Sequence, residues 1–252
     1  MLRLEHINVS FGKNHILKNL SCTVEAGDFI VIVGANGAGK STFFDTISGK
    51  NKPTSGNVIL EGSDITALNE MQRAAMITRI FQNTRLNSVG SMTVHQNLAI
   101  AQYSRRSAKF VDGMHALSRK KAEAIMIELG MSTALLDKKM NDLSGGQRQL
   151  VAFAMATQLI PKVLLLDEPT AALDPQAATT LLVHAAQFIK RHKITTMLIT
   201  HDPHIALSVG NKIWILENGA ITKQYDAQEK KGLNPDKLIG QIDYEQLSKM
   251  NQ

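Results

Sequence analysis

Several residues in this chain have the chemical types and the spacing of a phosphate-handling site. A glycine-rich stretch begins at Gly34 and ends in Lys40-Ser41. Glycines let a backbone wrap closely around an anion because no Cβ intervenes. A lysine there supplies a positive charge to the β- and γ-phosphates, and a serine hydroxyl can reach Mg²⁺. The pattern predicts a nucleotide-binding loop, and a plain turn between a strand and a helix is the alternative.

A pair of acidic residues follows an apolar run later in the chain. The run Val163–Leu166 ends at Asp167 and Glu168. Ligands of open α/β sheets bind at the carboxyl ends of the strands. A first carboxylate there can hold Mg²⁺ through water, and a second can orient or deprotonate an attacking water. The alternative is that both carboxylates are merely solvated.

Hydrophobic periodicity predicts the elements that must position these groups. The predicted strands cover residues 2–9, 28–33, 57–60, 76–81, 163–166, 195–199 and 212–216. The predicted helices cover residues 40–47, 94–101, 114–129, 145–159, 175–191, 203–209 and 235–250. Strands that alternate with helices indicate an α/β fold with a mostly parallel sheet.

The composition changes along the chain. Residues 83–160 have helical spacing, more methionine and few β-branched runs, which predicts a helical lobe. The lobe interrupts an expected ATPase core at residues 1–82 and 161–225. Residues 226–252 are polar and charged, and they are expected to form a C-terminal appendage.

The overall composition limits the classes of protein that fit. The chain has 252 residues, a net charge of +6 and a pI of about 9.4. No apolar run approaches the ~20 residues that span a bilayer, and the N-terminus lacks the apolar core of a secretory signal. A cytosolic location is therefore expected. The basic residues are scattered and not interleaved with aromatics, so no nucleic-acid partner is expected. The single cysteine, Cys22, rules out an internal disulfide and is expected to be buried.

A pentapeptide between the glycine loop and the acidic pair narrows the interpretation. The stretch Leu143-Ser144-Gly145-Gly146-Gln147 resembles the signature of ATP-binding-cassette (ABC) ATPases, the subunits that drive ABC transporters. The resemblance extends from about residue 2 to about residue 225. It implies a P-loop NTPase core with a mostly parallel sheet, an N-terminal antiparallel β portion and an inserted α-helical lobe.

The resemblance also implies roles for single residues around ATP and Mg²⁺. In the family, a histidine at the position of His201 contacts the γ-phosphate, and a glutamine at the position of Gln82 contacts Mg²⁺ and water. With Glu168, these form the expected catalytic set. Ser41 and Asp167, together with Gln82, are the expected metal ligands.

Other residues are expected to contact the nucleotide itself. In the family, an aromatic residue at Phe11 stacks on adenine, where tyrosine is commoner, and Ile16 matches an apolar position beside the base. A core position is the alternative for Phe11. The stretch that ends at Asp174 resembles the family's dimer-contact loop, with Ala171 in place of the usual serine. The expected ATP contacts are Phe11, Ile16, Gly34, Ala35, Asn36, Gly37, Ala38, Gly39, Lys40, Ser41, Thr42, Ser144, Gly145, Gly146, Gln147 and Asp174.

The signature stretch predicts a second anion site at a helix start. Ser144 is a natural N-cap, and the two glycines expose backbone N–H groups. The family uses this site in a head-to-tail dimer, where it closes over the γ-phosphate held by the Lys40 loop of a second copy. An ordinary helix cap is the alternative.

The resemblance therefore implies a Mg-dependent ATPase subunit of an ABC transporter on the cytoplasmic face of a membrane. Its implied partners are a second copy or a homologous subunit, separate transmembrane permease subunits and, indirectly, a substrate-binding protein. Separate membrane subunits favour an importer over a fused exporter. The segment with Met92-Thr93-Val94 and Asn97-Leu98-Ala99 resembles ATPases paired with binding-protein-dependent amino-acid uptake systems. Two alternatives stay open: an ABC ATPase of a cytosolic assembly such as iron–sulfur cluster biogenesis, and a DNA- or ribosome-associated ABC ATPase.

Overall fold

The structure, a computed structural model, describes residues 1–81, 88–104 and 117–250. The strands are β1 Leu2–Phe11, β2 Asn14–Val24, β3 Phe29–Val33, β4 Ser55–Leu60, β5 Ser63–Asp64, β6 Ile77–Ile80, β7 Val163–Asp167, β8 Thr195–Ile199, β9 Lys212–Glu217 and β10 Ala220–Tyr225. The helices are α1 Lys40–Ser48, α2 Glu70–Arg73, α3 Val94–Ser104, α4 Arg119–Glu128, α5 Gly145–Thr157, α6 Pro175–His192, α7 Pro203–Ser208, α8 Ala227–Lys231 and α9 Pro235–Met250. Short 3₁₀ helices lie at Thr133–Asp137 and Met140–Asp142.

The N-terminal strands form the expected antiparallel portion. The strand order is β2-β1-β4-β5, and β1 pairs antiparallel with both β2 and β4. Alternate residues of β1 are buried, as a sheet with one face on a core requires. Cys22 on β2 is 7% exposed, so the expectation of a buried thiol is confirmed. Burial raises the pKa of the Cys22 thiol to about 12.

The second sheet is mostly parallel. Its order is β10-β9-β3-β8-β7-β6, and the pairs β3–β8, β3–β9 and β7–β8 are all parallel. Four of the five residues of β3 are buried, because an apolar, β-branched strand fits the middle of a sheet that is covered on both faces. Helix α1 places Phe43 and Phe44 in a core shared with strands of both sheets, which fixes the helix that follows the glycine loop.

Contacts divide the described chain into two compact units. The first unit comprises Met1–Ile77, Lys162–Asp167 and Lys193–Gln252, and the second comprises Thr78–Pro161 and Glu168–His192. The three-part division expected from the sequence stays a prediction, and these units differ from it at residues 78–81, at Glu168–His192 and at the C-terminal helices. Helix α6 groups with the helical residues because it packs against α5, where the Phe153 and Phe188 rings meet edge to face at 5.6 Å. The C-terminal helices group with the first unit, where α9 packs on α7.

Five of the elements carry weaker sequence signals and were not predicted. They are the second strand of the N-terminal hairpin, the short β5, helix α2, strand β10 and helix α8. A usable signal existed for β10, because Asn218-Gly219 between two apolar-rich runs is typical of a two-residue hairpin turn. The predicted helix 114–129 is observed from Arg119, and residues 105–116 lie outside the described part of the chain.

Candidate functional site

The N-terminus of α1 is built without a capping side chain. Gly39 occupies the N-cap position with φ 102°, a conformation that L side chains rarely adopt. The N-cap residue therefore supplies no side-chain cap hydrogen bond to the first helical turn. Such a helix end, with its positive dipole, is well suited to hold a phosphate.

Lys40 places its ammonium group across the glycine loop. The side chain is 7% exposed, and Nζ donates to the carbonyl oxygens of Gly34 at 2.7 Å and Ala35 at 2.9 Å. A buried charge is costly unless it is compensated. An anion bound in the loop would place a negative charge beside this ammonium group, which is favourable for a buried cation.

The rest of the loop is open to a ligand on one side and closely packed on the other. A Cβ at Gly34 would lie 2.1 Å from the carbonyl oxygen of Leu216, so only glycine fits there. Ala38 is buried, whereas Ala35 and Thr42 are half-buried. The exposed positions, which a ligand can reach, are Asn36, Gly37 and Ser41.

Strand register brings three of the predicted groups to one edge of the parallel sheet in the first unit. Ile32 on β3 lies beside Ile199 on β8, and Ile199 lies beside Asp167 on β7. The strands therefore end level with one another. The glycine loop, Asp167 and His201, which is exposed two residues beyond the end of β8, all follow at that edge.

Glu168 comes directly after Asp167 in a strained backbone conformation. Its φ is +47°, in the left-handed region, where a residue other than glycine costs on the order of 1–3 kcal/mol. Strain of this kind concentrates where a side chain must be aimed in one direction. The sequence contained no signal for this feature.

The N-terminal hairpin carries the two residues expected beside the base. Phe11 ends β1 and is 51% exposed, so the alternative of a core position does not hold. Ile16 lies on β2 and is half-buried. An exposed aromatic ring and a half-buried aliphatic side chain on one hairpin are side chains of the type that contacts a flat heterocycle.

The signature stretch in the second unit caps its own helix. Ser144 Oγ accepts from the Gln147 N–H at 3.2 Å, and Gln147 Oε1 accepts from the Ser144 N–H at 3.1 Å. This reciprocal pair is a capping box, which the spacing Ser-x-x-Gln signals in sequence and which was not predicted. The two glycines permit close packing, since a Cβ at Gly145 would lie 3.2 Å from Leu173 Cδ2 and one at Gly146 2.9 Å from Ala177 Cβ.

Asp174 and Gln82 complete the predicted set. Asp174 is exposed and its Oδ1 accepts from the Ala177 N–H at 2.9 Å, so it caps the start of α6. Its expected role at a dimer contact is a separate prediction. Gln82 lies outside the described residues, and its predicted roles as catalytic residue and metal ligand stay predictions.

A buried arginine that sequence reasoning missed supports the other end of α1. Arg73 is fully buried, and its Nη1 donates to the carbonyl oxygens of Thr46 at 2.9 Å and Ile47 at 2.8 Å. These carbonyls belong to the last turn of α1, where a cation is favoured by the helix dipole. Burial lowers the pKa of Arg73. An arginine near an apolar run gives little sign in sequence that it will be buried.

The donor set of the first unit fits a magnesium nucleotide. The described residues contain no cluster of three or more His, Cys, Asp or Glu that could hold a metal by themselves. Mg²⁺ is usually bound by one or two protein oxygens together with substrate phosphates and water. Ser41 and Asp167 would supply those protein oxygens, and the glycine loop with Lys40 would hold the phosphates.

Comparison with known proteins decides the family. The family model described as ABC transporter matches residues 17–171, more than half of the chain. The chain belongs to the ABC transporter ATPase family. The resemblance drawn from the signature stretch and the predicted fold class are both confirmed.

Individual relatives of this ABC ATPase cover nearly its whole length. A tyrosine transport ATP-binding protein of Clostridioides difficile (strain R20291) is 35% identical over 97% of this chain and 99% of the relative. The methionine import ATP-binding protein MetN of Clostridioides difficile (strain 630) is 33% identical over 96% of this chain and 74% of the relative. A dimeric ATP-binding cassette in a post-hydrolysis state, bound to ADP and Pi, superposes with a TM-score of 0.74 at 27% identity and covers 90% of this chain and 99% of that one.

The ABC ATPase is thus a subunit that binds and hydrolyses ATP. Among the described residues, no helix combines the length and the apolar character that crossing a bilayer requires.

Proposed function

We propose that this ABC ATPase uses Mg·ATP to drive the import of small solutes, with amino acids as the favoured class. The observation that carries the nucleotide site is the level ending of β3, β7 and β8, which brings the glycine loop, Asp167 and His201 to one sheet edge. The solute class is supported by relatives that are named for tyrosine transport and methionine import.

The residues of the first unit have distinct tasks in this proposal. The uncapped start of α1 and Lys40 bind the β- and γ-phosphates, while Ser41 and Asp167 hold Mg²⁺, which neutralises developing phosphate charge. His201 contacts the γ-phosphate. Glu168 orients or deprotonates the attacking water, a general-base role that contributes on the order of 10²–10⁴-fold. Phe11 and Ile16 contact the adenine.

The signature stretch acts on a second copy of the chain. A dimeric relative bound to ADP and Pi supports two copies as the working unit. Because Ser144 Oγ accepts a bond from its own helix, its hydroxyl hydrogen is left to donate to a phosphate oxygen. Two nucleotides would then be held between two copies, each contacting both.

Separate permease subunits would supply the path across the membrane, and the ATPase would lie peripherally on the cytoplasmic face. A cavity of about 620 Å³ in the helical unit supports this docking. Its lining residues are Ser88, Gly90, Ser91, Met140, Asn141 and Arg148. A concave surface with one arginine and several small polar groups suits an incoming helix end that carries a carboxylate. The alternative of an iron–sulfur assembly ATPase has no comparable support among the relatives.

The experiment is purification of the tagged chain from detergent-solubilised membranes of its native host. A multi-spanning membrane protein should co-purify in a fixed ratio. Ser91→Trp, which fills the cavity, should reduce that recovery and leave the ATPase activity of the isolated chain unchanged. Met71→Trp is the control, since Met71 is 86% exposed in the other unit. Recovery of cytosolic partners alone would overturn the transport assignment.

A further inference from the structure

The turn between β9 and β10 has positive φ values at both of its residues and contacts two other segments of the first unit. Asn218 and Gly219 form a two-residue turn closed by the pair Glu217 and Ala220, with φ values of 50° and 83°. Two consecutive positive φ values are typical of the tight hairpin turn that Asn-Gly favours. The turn is therefore well specified by its own sequence.

The backbone of Gly219 joins two other segments of the first unit. Its N–H donates to the carbonyl oxygen of Ala38 in the glycine loop at 3.0 Å. Its carbonyl oxygen accepts from the Lys18 N–H on β2 at 2.9 Å. One residue thus connects the loop expected to bind phosphate with the hairpin expected to contact the base.

The three segments meet at backbone contact distance. A Cβ at Gly219 would lie 1.9 Å from the carbonyl oxygen of Ile16 and 3.1 Å from Leu17 Cα. A Cβ at Gly39, on the loop side, would lie 3.1 Å from Leu17 Cδ2 and 3.3 Å from the same Ile16 oxygen. We call the meeting of Ile16–Lys18, Ala38–Gly39 and Gly219 the glycine junction. Its closeness depends on the absence of side chains at both glycines.

We propose that Gly219 is a positioning residue that locks the base-contacting hairpin to the phosphate-binding loop. This inference rests on the proposed function, because it takes Phe11 and Ile16 as base contacts. With the junction intact, the hairpin is already in place when the triphosphate binds, so the base contact adds to affinity without a further ordering cost. If a substitution separates these segments, the hairpin must be ordered when ATP binds, and this ordering cost lowers the affinity for ATP. Gly219 therefore strengthens the binding of a nucleotide that has a base and has little effect on a triphosphate that has none.

The test measures the dissociation constants of Mg·ATP and of magnesium triphosphate, which lacks the base, for Gly219→Ala. ATP should bind about 10-fold more weakly, the scale of restoring one or two ordering costs. Triphosphate affinity and the kcat at saturating ATP should stay within about 2-fold, because the loop itself is retained. Gly62→Ala is the matched control, since Gly62 has φ +82° and no atom within 4 Å of its added Cβ. It should leave both affinities unchanged.

A milder variant keeps the test decisive if Gly219→Ala folds poorly. Asn218→Val strains the same turn at φ 50° and leaves every residue that defines the glycine junction unchanged. It should weaken ATP binding in the same selective way and by a smaller factor. Equal losses for ATP and triphosphate in both variants, or no loss in either, would overturn the proposal.

A wrong assignment of Phe11 as a base contact would give a different pattern of affinities. Phe11→Ala alone should weaken ATP and spare triphosphate, and its effect should shrink when Gly219→Ala is also present, because linked groups are not additive. If Phe11→Ala changes neither affinity, the base contact is wrong. If Phe11→Ala behaves as expected and its effect is the same with and without Gly219→Ala, the base contact stands and the positioning role falls.

Discussion

Two helix N-termini in this protein are candidates for contact with phosphate, and they are built in opposite ways. Helix α1 begins after Gly39, which adopts a left-handed conformation and offers no side chain to cap the helix. Helix α5 begins after Ser144, which forms a complete capping box with Gln147. The first helix start has no capping side chain at its N-cap residue, whereas the second satisfies two of its own donors.

The difference indicates a division of labour between the two units. A helix end without a cap gains most from an anion, so the nucleotide should bind first and most strongly at α1. A capped end keeps its shape without a ligand and can present a hydroxyl and the remaining amides to a nucleotide bound elsewhere. The phosphate-binding loop should therefore be stabilised by ATP, and the signature stretch should be ordered before ATP arrives.

Loss of the loop cation should have the largest effect. Lys40→Ala is expected to weaken ATP binding about 100-fold, the scale of a charge-assisted contact of roughly 2–3 kcal/mol, and to abolish hydrolysis. Binding is measured by calorimetry and hydrolysis by phosphate release. Lys50→Ala is the control, because Lys50 is an exposed lysine just beyond the other end of α1 and is paired with Asp45 at 3.7 Å. Normal ATP binding by Lys40→Ala would show that the nucleotide does not bind at the glycine loop.

The structure around the start of α1 could largely be predicted from the sequence. Glycine spacing, Lys40 and an apolar strand ending at Asp167 predict a strand-loop-helix unit because each step follows local rules of backbone freedom and burial. The bounds of β8 and α9 also match their predicted ranges, since β8 is a short β-branched and apolar run and α9 begins at a proline.

Features that depend on distant packing were not accessible in this way. The burial of Arg73 at the end of α1 and the close approach of Gly219 to Ile16 join segments far apart in the chain. The left-handed φ of Glu168 has no local signature in the sequence. The capping box at Ser144 was accessible, because its spacing is a local signature.

The second test addresses the contact of the signature stretch with a partner copy. Glu168→Gln should lower turnover by about 10²-fold or more, as loss of a general base does, and leave ATP bound. It should then accumulate as a dimer with Mg·ATP and stay monomeric with ADP, as light scattering after size-exclusion chromatography can show. Glu70→Gln, on the exposed face of α2, is the control and should hydrolyse ATP normally.

Ser144 offers a matched pair of variants for the same dimer. In the Glu168→Gln background, Ser144→Asp keeps a good N-cap and adds a negative charge that would face the partner's γ-phosphate, so the dimer should be lost. Ser144→Asn keeps the cap without the charge and should still dimerise. These variants are cleaner than a substitution at Gly146, where any Cβ would lie 2.9 Å from Ala177 of the same chain. Dimerisation by the Ser144→Asp variant would show that the signature stretch does not contact the nucleotide of the partner copy.

The prediction with the smallest expected effect tests whether the start of α5 is ordered by its own cap. Ser144→Ala removes the acceptor of the Gln147 N–H and should cost about 1 kcal/mol locally, which corresponds to roughly fivefold faster hydrogen exchange at that amide. Exchange is the right measurement because it reports on one helix end and does not require the two units to unfold together. Ser118→Ala is the control, since Ser118 caps α4 through one longer bond of 3.4 Å and without a reciprocal partner. It should accelerate exchange at Lys121 by a smaller factor. Two results together would contradict this expectation: protection of the Gln147 amide in the wild-type monomer only when ATP is present, and no effect of Ser144→Ala without ATP. The start of α5 would then depend on a ligand, and the proposed difference between the two helix starts would be wrong.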